Sequence, residues 1–346
     1  MARIALDAMG GDFAPQATIA GALHALGELD SSHTVQLVGQ SAVIDSELAR
    51  LLSGELSHAA SARHRIEIVE APDTIEMSDK PTAALRGKPN NPMAVGIKLQ
   101  VDGKSDAFVS AGNTGAQMAV SAVMLGLHAG LKRPPVSTIL PTSREPIVFL
   151  DSGANVDCAA SELVQFAWLG ALYAESVLGR ENPVVGLLSV GEEETKGNAV
   201  SKEAFALFRD AGFNFQGNIE GRDLPPAASD RGPIDVVVCD GFVGNVVLKF
   251  YEGVIPMLIE IMKRDGNVEM NSVMNALKTL DSSVYGGAPL LGVRGVSMIC
   301  HGNSSPRAIK NAIKAAVRAV ETKMNDRIGA KLADIEKKSQ SESTVS

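Results

Sequence analysis

The stretch Ala107-Phe108-Val109-Ser110-Ala111-Gly112-Asn113-Thr114-Gly115-Ala116-Gln117-Met118 reads as a strand, a turn and a helix in immediate succession. A short apolar run ends in small, polar, glycine-rich residues, and an apolar helical pattern over residues 118–127 follows at once. Parallel strands buried on both faces read as continuous Val, Ile and Leu runs, and each needs a crossover to reach the next. The same unit recurs in both directions from this stretch. Strands are predicted at residues 4–7, 35–38, 66–69, 107–110, 136–140, 147–150, 184–188, 236–239 and 296–300, with longer helical patterns between them. That alternation predicts an α/β class, a three-layer α/β/α arrangement with a largely parallel sheet.

Composition narrows the partners. The chain has 346 residues, 40 acidic against 32 Lys plus Arg, and 45% hydrophobic residues, which is ample for a buried core and unlike a disordered chain. Residues 1–336 read as a single domain without a linker, and the Ser- and Lys-rich tail 337–346 is expected to be disordered. An acidic balance with 4% aromatics gives no platform for nucleic acid. Cys158, Cys239 and Cys300 are too scattered for a disulfide framework or a C-x-x-C motif, so a reducing cytoplasm fits best. No set of His, Cys and carboxylates has metal-ligand spacing, so no metal or other cofactor is expected. The N-terminus meets Asp7 before a signal-peptide core could form, and no uninterrupted apolar run of about 18 residues is evident.

The information lies in the loops after the strands: Asp7-Ala8-Met9-Gly10-Gly11-Asp12, Gly112-Asn113-Thr114-Gly115, Asp151-Ser152-Gly153-Ala154-Asn155, residues 191–198, Asp240-Gly241-Phe242-Val243-Gly244-Asn245 and His301-Gly302-Asn303-Ser304. Open α/β sheets bind ligands outside the carboxyl ends of their strands, so these loops are expected to converge on one composite site. Glycine lets backbone N–H groups approach an anion, and a following helix N-terminus adds partial positive charge, which suits a phosphate. Candidate phosphate or substrate contacts are Asp7, Gly10, Gly11, Asp12, Gly112, Asn113, Thr114, Asn155, Asn198, Asp240 and Gly241. For any one loop, a tight turn with a capping residue is the better account, and it is the six loops together that favour a site. The fingerprints of dinucleotide and nucleoside triphosphate sites are missing, which points to a different phosphate ligand.

Three residue types admit two readings each. Lys196 either neutralises a bound phosphate or pairs with Glu192, Glu193 and Glu194 beside it. His301 either exchanges protons or is a strand-end histidine satisfied by backbone. Cys239 and Cys300 are either thiolate nucleophiles or, more commonly for free cysteine, small buried hydrophobes.

These loops, with Leu150 to Asp157, Lys196-Gly197-Asn198 and Tyr285-Gly286-Gly287-Ala288-Pro289-Leu290-Leu291-Gly292, resemble the motifs of the phosphate acyltransferase family, PlsX, in order, from about residue 3 to about residue 325. The resemblance implies a fold similar to phosphate acetyltransferases and isocitrate dehydrogenase-like proteins. It also implies transfer of a fatty acyl group from acyl carrier protein to inorganic phosphate, giving acyl phosphate for phospholipid synthesis. Phosphate must be held beside the thioester, the developing oxyanion stabilised and water excluded, and direct attack needs no acyl-enzyme. Loop chemistry and the resemblance together assign Lys196 to phosphate or the oxyanion and Asn245 and Asn113 to hydrogen-bond donation. Gly10, Gly11 and Gly112 then shape the pocket, and His301 assists thiol departure.

The resemblance further implies a homodimer, peripheral attachment to the inner face of the cell membrane near a downstream membrane acyltransferase, and a projecting helical segment at about residues 250–283. Within it, residues 254–261 read as core or dimer packing and residues 270–280 as the surface-inserting part. Arg307, Lys310, Lys314 and Arg318 lie at helical spacing opposite Ile309, Ile313, Val317 and Val320, either a docking stripe for acidic carrier protein or an ordinary solvated face. The rivals are a nicotinamide-dependent decarboxylating dehydrogenase on a related fold, whose signatures are missing, and a non-enzymatic scaffold. Phosphate-dependent release of carrier protein separates all three.

Overall fold

The computed structural model describes residues 1–264 and 286–343. Residues 1–336, expected to form one domain, divide between two compact units, Met1–Gly130 with Ser283–Ser346, and Leu131–Ser282. Gly130, at φ 77°, and Pro134-Pro135 mark the first crossing.

Numbered along the chain, the first segment holds β1 (Arg3–Asp7), α1 (Gln16–Glu28), β2 (Thr34–Gly39), α2 (Ser41–Ser53), β3 (Ile66–Glu70), α3 (Ala83–Arg86), α4 (Pro92–Val101), β4 (Ala107–Ser110) and α5 (Thr114–Met124). The second unit holds β5 (Thr138–Leu140), β6 (Ile147–Leu150), α6 (Ala160–Tyr173), β7 (Val185–Leu188), α7 (Ala199–Asp210), β8 (Phe215–Ile219), the short strands β9 (Ala228–Ser229) and β10 (Gly232–Pro233), β11 (Val236–Val238) and α8 (Gly241–Arg264). The chain then returns to the first unit with β12 (Ala288–Pro289), β13 (Ser297–Ile299), α9 (Pro306–Glu321) and α10 (Met324–Ser343).

Each unit has its own mostly parallel sheet. The first runs β12-β13-β4-β1-β2-β3, with β12 antiparallel to β13. The second runs β5-β6-β11-β7-β8, with β5 antiparallel to β6 because a short turn, not a crossover, joins them. All nine predicted strand positions carry strands. β8 was not anticipated: Gly217 and Asn218 break its apolar pattern, which an edge strand tolerates.

Helix starts explain the small polar residues after the strands. Asn91, Asn113, Asn198 and Ser305 cap α4, α5, α7 and α9 by accepting backbone N–H bonds, and Pro92 and Pro306 fill first-turn positions that have no donor to lose. α9 buries Ile309, Ile313 and Val317 against the first unit's core, and Gly21 of α1 lets it approach, since a Cβ there would lie 2.6 Å from Ile309 Cβ. The α10 helix continues to Ser343, into the stretch composition assigned to a tail. The α8 helix, 24 residues with a mean hydropathy of 1.5 in its most apolar window, is long and apolar enough to cross a membrane, which the interruptions at Lys249, Glu252 and Pro256 obscured. The candidate inserting residues 270–280 lie outside the described residues.

Candidate active site

In the first unit the chain steps outward from β1 to β2 and β3, then returns to place β4 on the other side of β1. The carboxyl ends of β1 and β4 therefore flank a topological switch point, where crossovers leave in opposite directions and a crevice opens. Asp7 closes β1 and is buried; its Oδ2 accepts from Ser110 Oγ at 2.7 Å and its Oδ1 from the Met9 N–H at 3.0 Å. Ser110 Oγ accepts in turn from the Gly112 N–H at 3.0 Å, so the two loops are tied through one hydroxyl. Burial pushes the Asp7 carboxyl up to about 6, against the lowering effect of those bonds. A Cβ on Gly10 would lie 2.5 Å from Asp7 Oδ2 and 2.7 Å from the Gly112 nitrogen, so nothing larger than glycine fits. The Asp12 N–H donates to the Gly302 carbonyl at 2.7 Å, bringing the loop after β13, with exposed His301, against the loop after β1.

Asn113 is engaged on both ends of its amide. Its oxygen caps α5 through the Ala116 N–H at 3.0 Å, and its Nδ2 donates to the carbonyls of Met77 and Asp79, both at 3.1 Å. Those carbonyls belong to the loop before α3, which Lys88 clips to Asp79 at 2.6 Å. Asn113 thus hangs that loop over the strand ends, while Thr114 beside it is exposed.

In the second unit β6, β11 and β7 are adjacent and parallel, so the loops after them share one edge of the sheet. Buried Asp151 gathers the N–H groups of Val136 (3.2 Å), Gly153 (3.2 Å), Ala154 (3.1 Å) and Asn155 (2.6 Å), and Asn155 Nδ2 at 2.7 Å. Burial raises this carboxyl too. Asn155 also donates to the Pro134 carbonyl at 3.1 Å, so its amide serves the loop itself. The Gly241 N–H donates to the Asn155 carbonyl at 2.8 Å, and Asp240 Oδ1 accepts from the Val243 N–H at 2.8 Å to open α8. A Cβ on Gly244 would overlap the Asp151 carbonyl oxygen, and one on Gly153 would meet Asn245 Cβ at 3.4 Å. Asn245 is exposed at this edge.

After β7, Lys196 is exposed, and among the described residues it makes no ion pair. Two of the neighbouring carboxylates are taken by arginines, Glu194 by Arg209 at 3.2 Å and Glu192 by Arg222 at 3.5 Å and Arg231 at 3.7 Å, while Glu193 makes no ion pair among the described residues. Asn198 caps α7 through the Ser201 N–H at 2.8 Å.

The predicted residues therefore separate by role. Asp7, Gly10, Gly11, Asp12 and Gly112 meet at the first unit's strand ends; Asn155, Asp240, Gly241 and Asn245 meet at the second's, beside the loop bearing Lys196 and Asn198. Asn113, Asn155 and Asn198 use their side chains as loop and helix ties. Ser110, between Asp7 and Gly112, was missed because a serine at a strand end carries no distinctive spacing. An open hollow of about 400 Å³, bounded by Glu192, Glu193, Glu194, Phe205, Arg209 and Arg231, adjoins the loop that bears Lys196, and one of about 590 Å³, bounded by His24, His58 and His64, is lined by none of the strand-end loops. A small anion needs N–H groups and charge more than volume, so the glycine turns remain the candidate. Burial pushes the Cys158 and Cys300 thiols up to about 12 and raises the Cys239 thiol well above the ordinary range, so none is a ready thiolate.

Solved structures share this architecture. A phosphotransacetylase from Streptococcus pyogenes superposes with a TM-score of 0.62 at 17% identity, covering 92% of this chain and 94% of that one. The EutD phosphotransacetylase from Staphylococcus aureus gives 0.59 at 18%, covering 93% and 94%. The fold is thus that of the phosphotransacetylase class of α/β proteins. Residues 2–327 match the family described as "Fatty acid synthesis protein". Proteins named phosphate acyltransferase from Pelotomaculum thermopropionicum and Desulforamulus reducens are 44% and 46% identical over 97% and 93% of this chain and 96% and 94% of their own lengths. The chain belongs to the phosphate acyltransferase family.

Proposed function

We propose that this protein transfers a fatty acyl group from acyl carrier protein to inorganic phosphate, releasing free carrier thiol and acyl phosphate for phospholipid synthesis. Family membership supports the acyl acceptor and the reaction class. The observation that carries the site assignment is Lys196, an exposed cation on a strand-end loop that makes no ion pair among the described residues, with Glu192 and Glu194 drawn to arginines. Within the second unit Lys196 holds phosphate or the developing oxyanion, and Asn245, on the same edge of the sheet, offers a donor. The elevated cysteine thiols favour direct attack by phosphate over an acyl-enzyme. The test is phosphate-dependent release of carrier thiol with acyl phosphate identified as product. Lys196→Ala should lower turnover by roughly 10²-fold or more, and near-normal turnover would remove it from the mechanism.

The protein is further proposed to be a homodimer attached peripherally to the inner face of the membrane, close to the acyltransferase that consumes its product. Phe242, Val246, Phe250, Met257 and Ile261 are all at least half exposed and fall on one stripe of α8, a surface that water alone does not explain. Residues 254–261, read as core or dimer packing, are not core, since Met257, Leu258 and Ile261 are 40–56% exposed. The basic stripe is partly spent: Lys310 and Lys314 each reach Glu28 of α1 at 2.7 Å, with Arg307 and Arg318 as its exposed ends for carrier docking.

A further inference from the structure

We infer that the transferred acyl chain lies on an apolar platform at the second unit's strand-end edge, made by Val156, Val190 and Phe242. The inference deepens the proposed reaction and rests on the reading of Lys196 as the phosphate-holding cation. The loops that leave this edge are otherwise small or polar: Asp151-Ser152-Gly153-Ala154-Asn155 after β6, residues 191–198 after β7 and Asp240-Gly241 after β11. Each adjoins an apolar residue that lies open. Val156 is 55% exposed, Val190 80% and Phe242 61%. Single exposed apolar residues are ordinary on a protein surface, whereas a group of them on adjoining loops marks a contact site.

Register brings the three together. Val238 of β11 stands opposite Leu150 of β6 and Leu187 of β7, so a few residues further along Gly241, Gly153 and Val190 leave the sheet at one level, on strands about 4.8 Å apart. The Gly241 N–H donates to the Asn155 carbonyl at 2.8 Å, and a Cβ on Gly241 would lie 2.6 Å from that oxygen, which sets the next residues, Phe242 and Val156, in neighbouring positions. Val190 continues the row on the other side of β11. The residue after it, Gly191, is buried, and a Cβ there would come 2.9 Å from Lys196 Cγ. The lysine stem therefore packs back toward Val190, and cation and apolar row share a border.

Acyl transfer to phosphate demands that conjunction. The acceptor is an anion, the transferred group is a hydrocarbon chain, and the thioester carbonyl must meet phosphate with water kept away. With phosphate at Lys196, the chain runs from its carbonyl across Val190, Phe242 and Val156, and burial of its methylenes there supplies binding energy that grows with chain length. The exposed stripe of α8 does not account for Val156 and Val190, which stand on other loops.

The test is the chain-length dependence of phosphate-dependent transfer by the full chain, with palmitoyl and butyryl thioesters of acyl carrier protein as donors. In Val156→Ser/Val190→Ser the palmitoyl-to-butyryl ratio of kcat/KM falls roughly tenfold, equivalent to about 1.4 kcal/mol and to the burial of about two methylenes. Both side chains are more than half exposed, so the thermal midpoint of the variant stays at the wild-type value. Phe13→Ser, which alters an exposed aromatic residue of the first unit, leaves the ratio unchanged. A ratio unaltered in the double variant, or altered in Phe13→Ser instead, overturns the platform while Lys196→Ala still loses turnover. If the double variant keeps its ratio and loses vesicle binding, the valines belong to a membrane contact and the inference is likewise overturned. Unchanged kinetics in Lys196→Ala would end the phosphate-holding reading, and this inference with it.

Discussion

Asp7 and Asp151 perform the same task in the two units. Each lies at the end of a strand, is buried, and collects the donors of the glycine-rich loop that follows. The arrangement makes the Asp7 charge costly. Its carboxyl, at about 6 in the folded protein against an ordinary 3.8, binds a proton more tightly folded than unfolded. Its contribution to stability is therefore fully present below pH ~3.8 and is lost as pH rises through about 6, a change on the order of 3 kcal/mol. Urea midpoints of Asp7→Asn relative to wild type should shift in the variant's favour between pH 4 and 7, and parallel curves would contradict the burial argument. Gly244 is the other single-atom dependency. Its α-hydrogen faces the Asp151 carbonyl, so Gly244→Ala must displace backbone and should cost roughly 3 kcal/mol, seen as a lower thermal midpoint.

At the scale of elements, α8 joins two features. Its first turn belongs to the strand-end edge through Gly241, Gly244 and Asn245, and its later turns present the exposed apolar stripe. A charge at Phe250, 68% exposed, removes apolar area from that stripe without touching the first turn. Phe250→Glu should reduce co-sedimentation with anionic vesicles severalfold at unchanged thermal stability. Retained vesicle binding with loss of the dimer in sedimentation velocity would assign the stripe to a second copy of the chain instead. The α1–α9 contact shows the opposite economy: Lys310 and Lys314, legible only as a basic stripe, are drawn onto Glu28 and hold its carboxyl down at about 2. Amphipathic spacing identified the helix face, but not which acidic residue would meet it.

At the scale of the molecule, the chemistry needs no covalent relay. On the proposed reaction, buried, raised thiols and an open lysine predict sequential kinetics in the acyl donor and phosphate. A ping-pong pattern, or an acyl group trapped on Cys239 or Cys300, would reverse this. The α/β class, the strand positions and the identity of the loop residues were legible because each depends on a local pattern: apolar runs, glycine turns and capping residues within a few positions of one another. The division into two units was not, since nothing in composition separates residues 1–130 from those that follow. Nor could spacing tell which asparagines are ties. Asn113 meets carbonyls from residues more than thirty positions earlier, and Asn155 meets one twenty-one positions earlier. What each loop is made of, and where along the chain it falls, follows from residue order. Which polar groups are consumed within the protein and which are left over follows from folding in space: Glu192 and Glu194 pair with arginines from three other elements, and Lys196 beside them makes no ion pair among the described residues. Hydrogen bonds and ion pairs are satisfied by proximity in space, and for these residues the nearest partner in space is seldom the nearest in sequence.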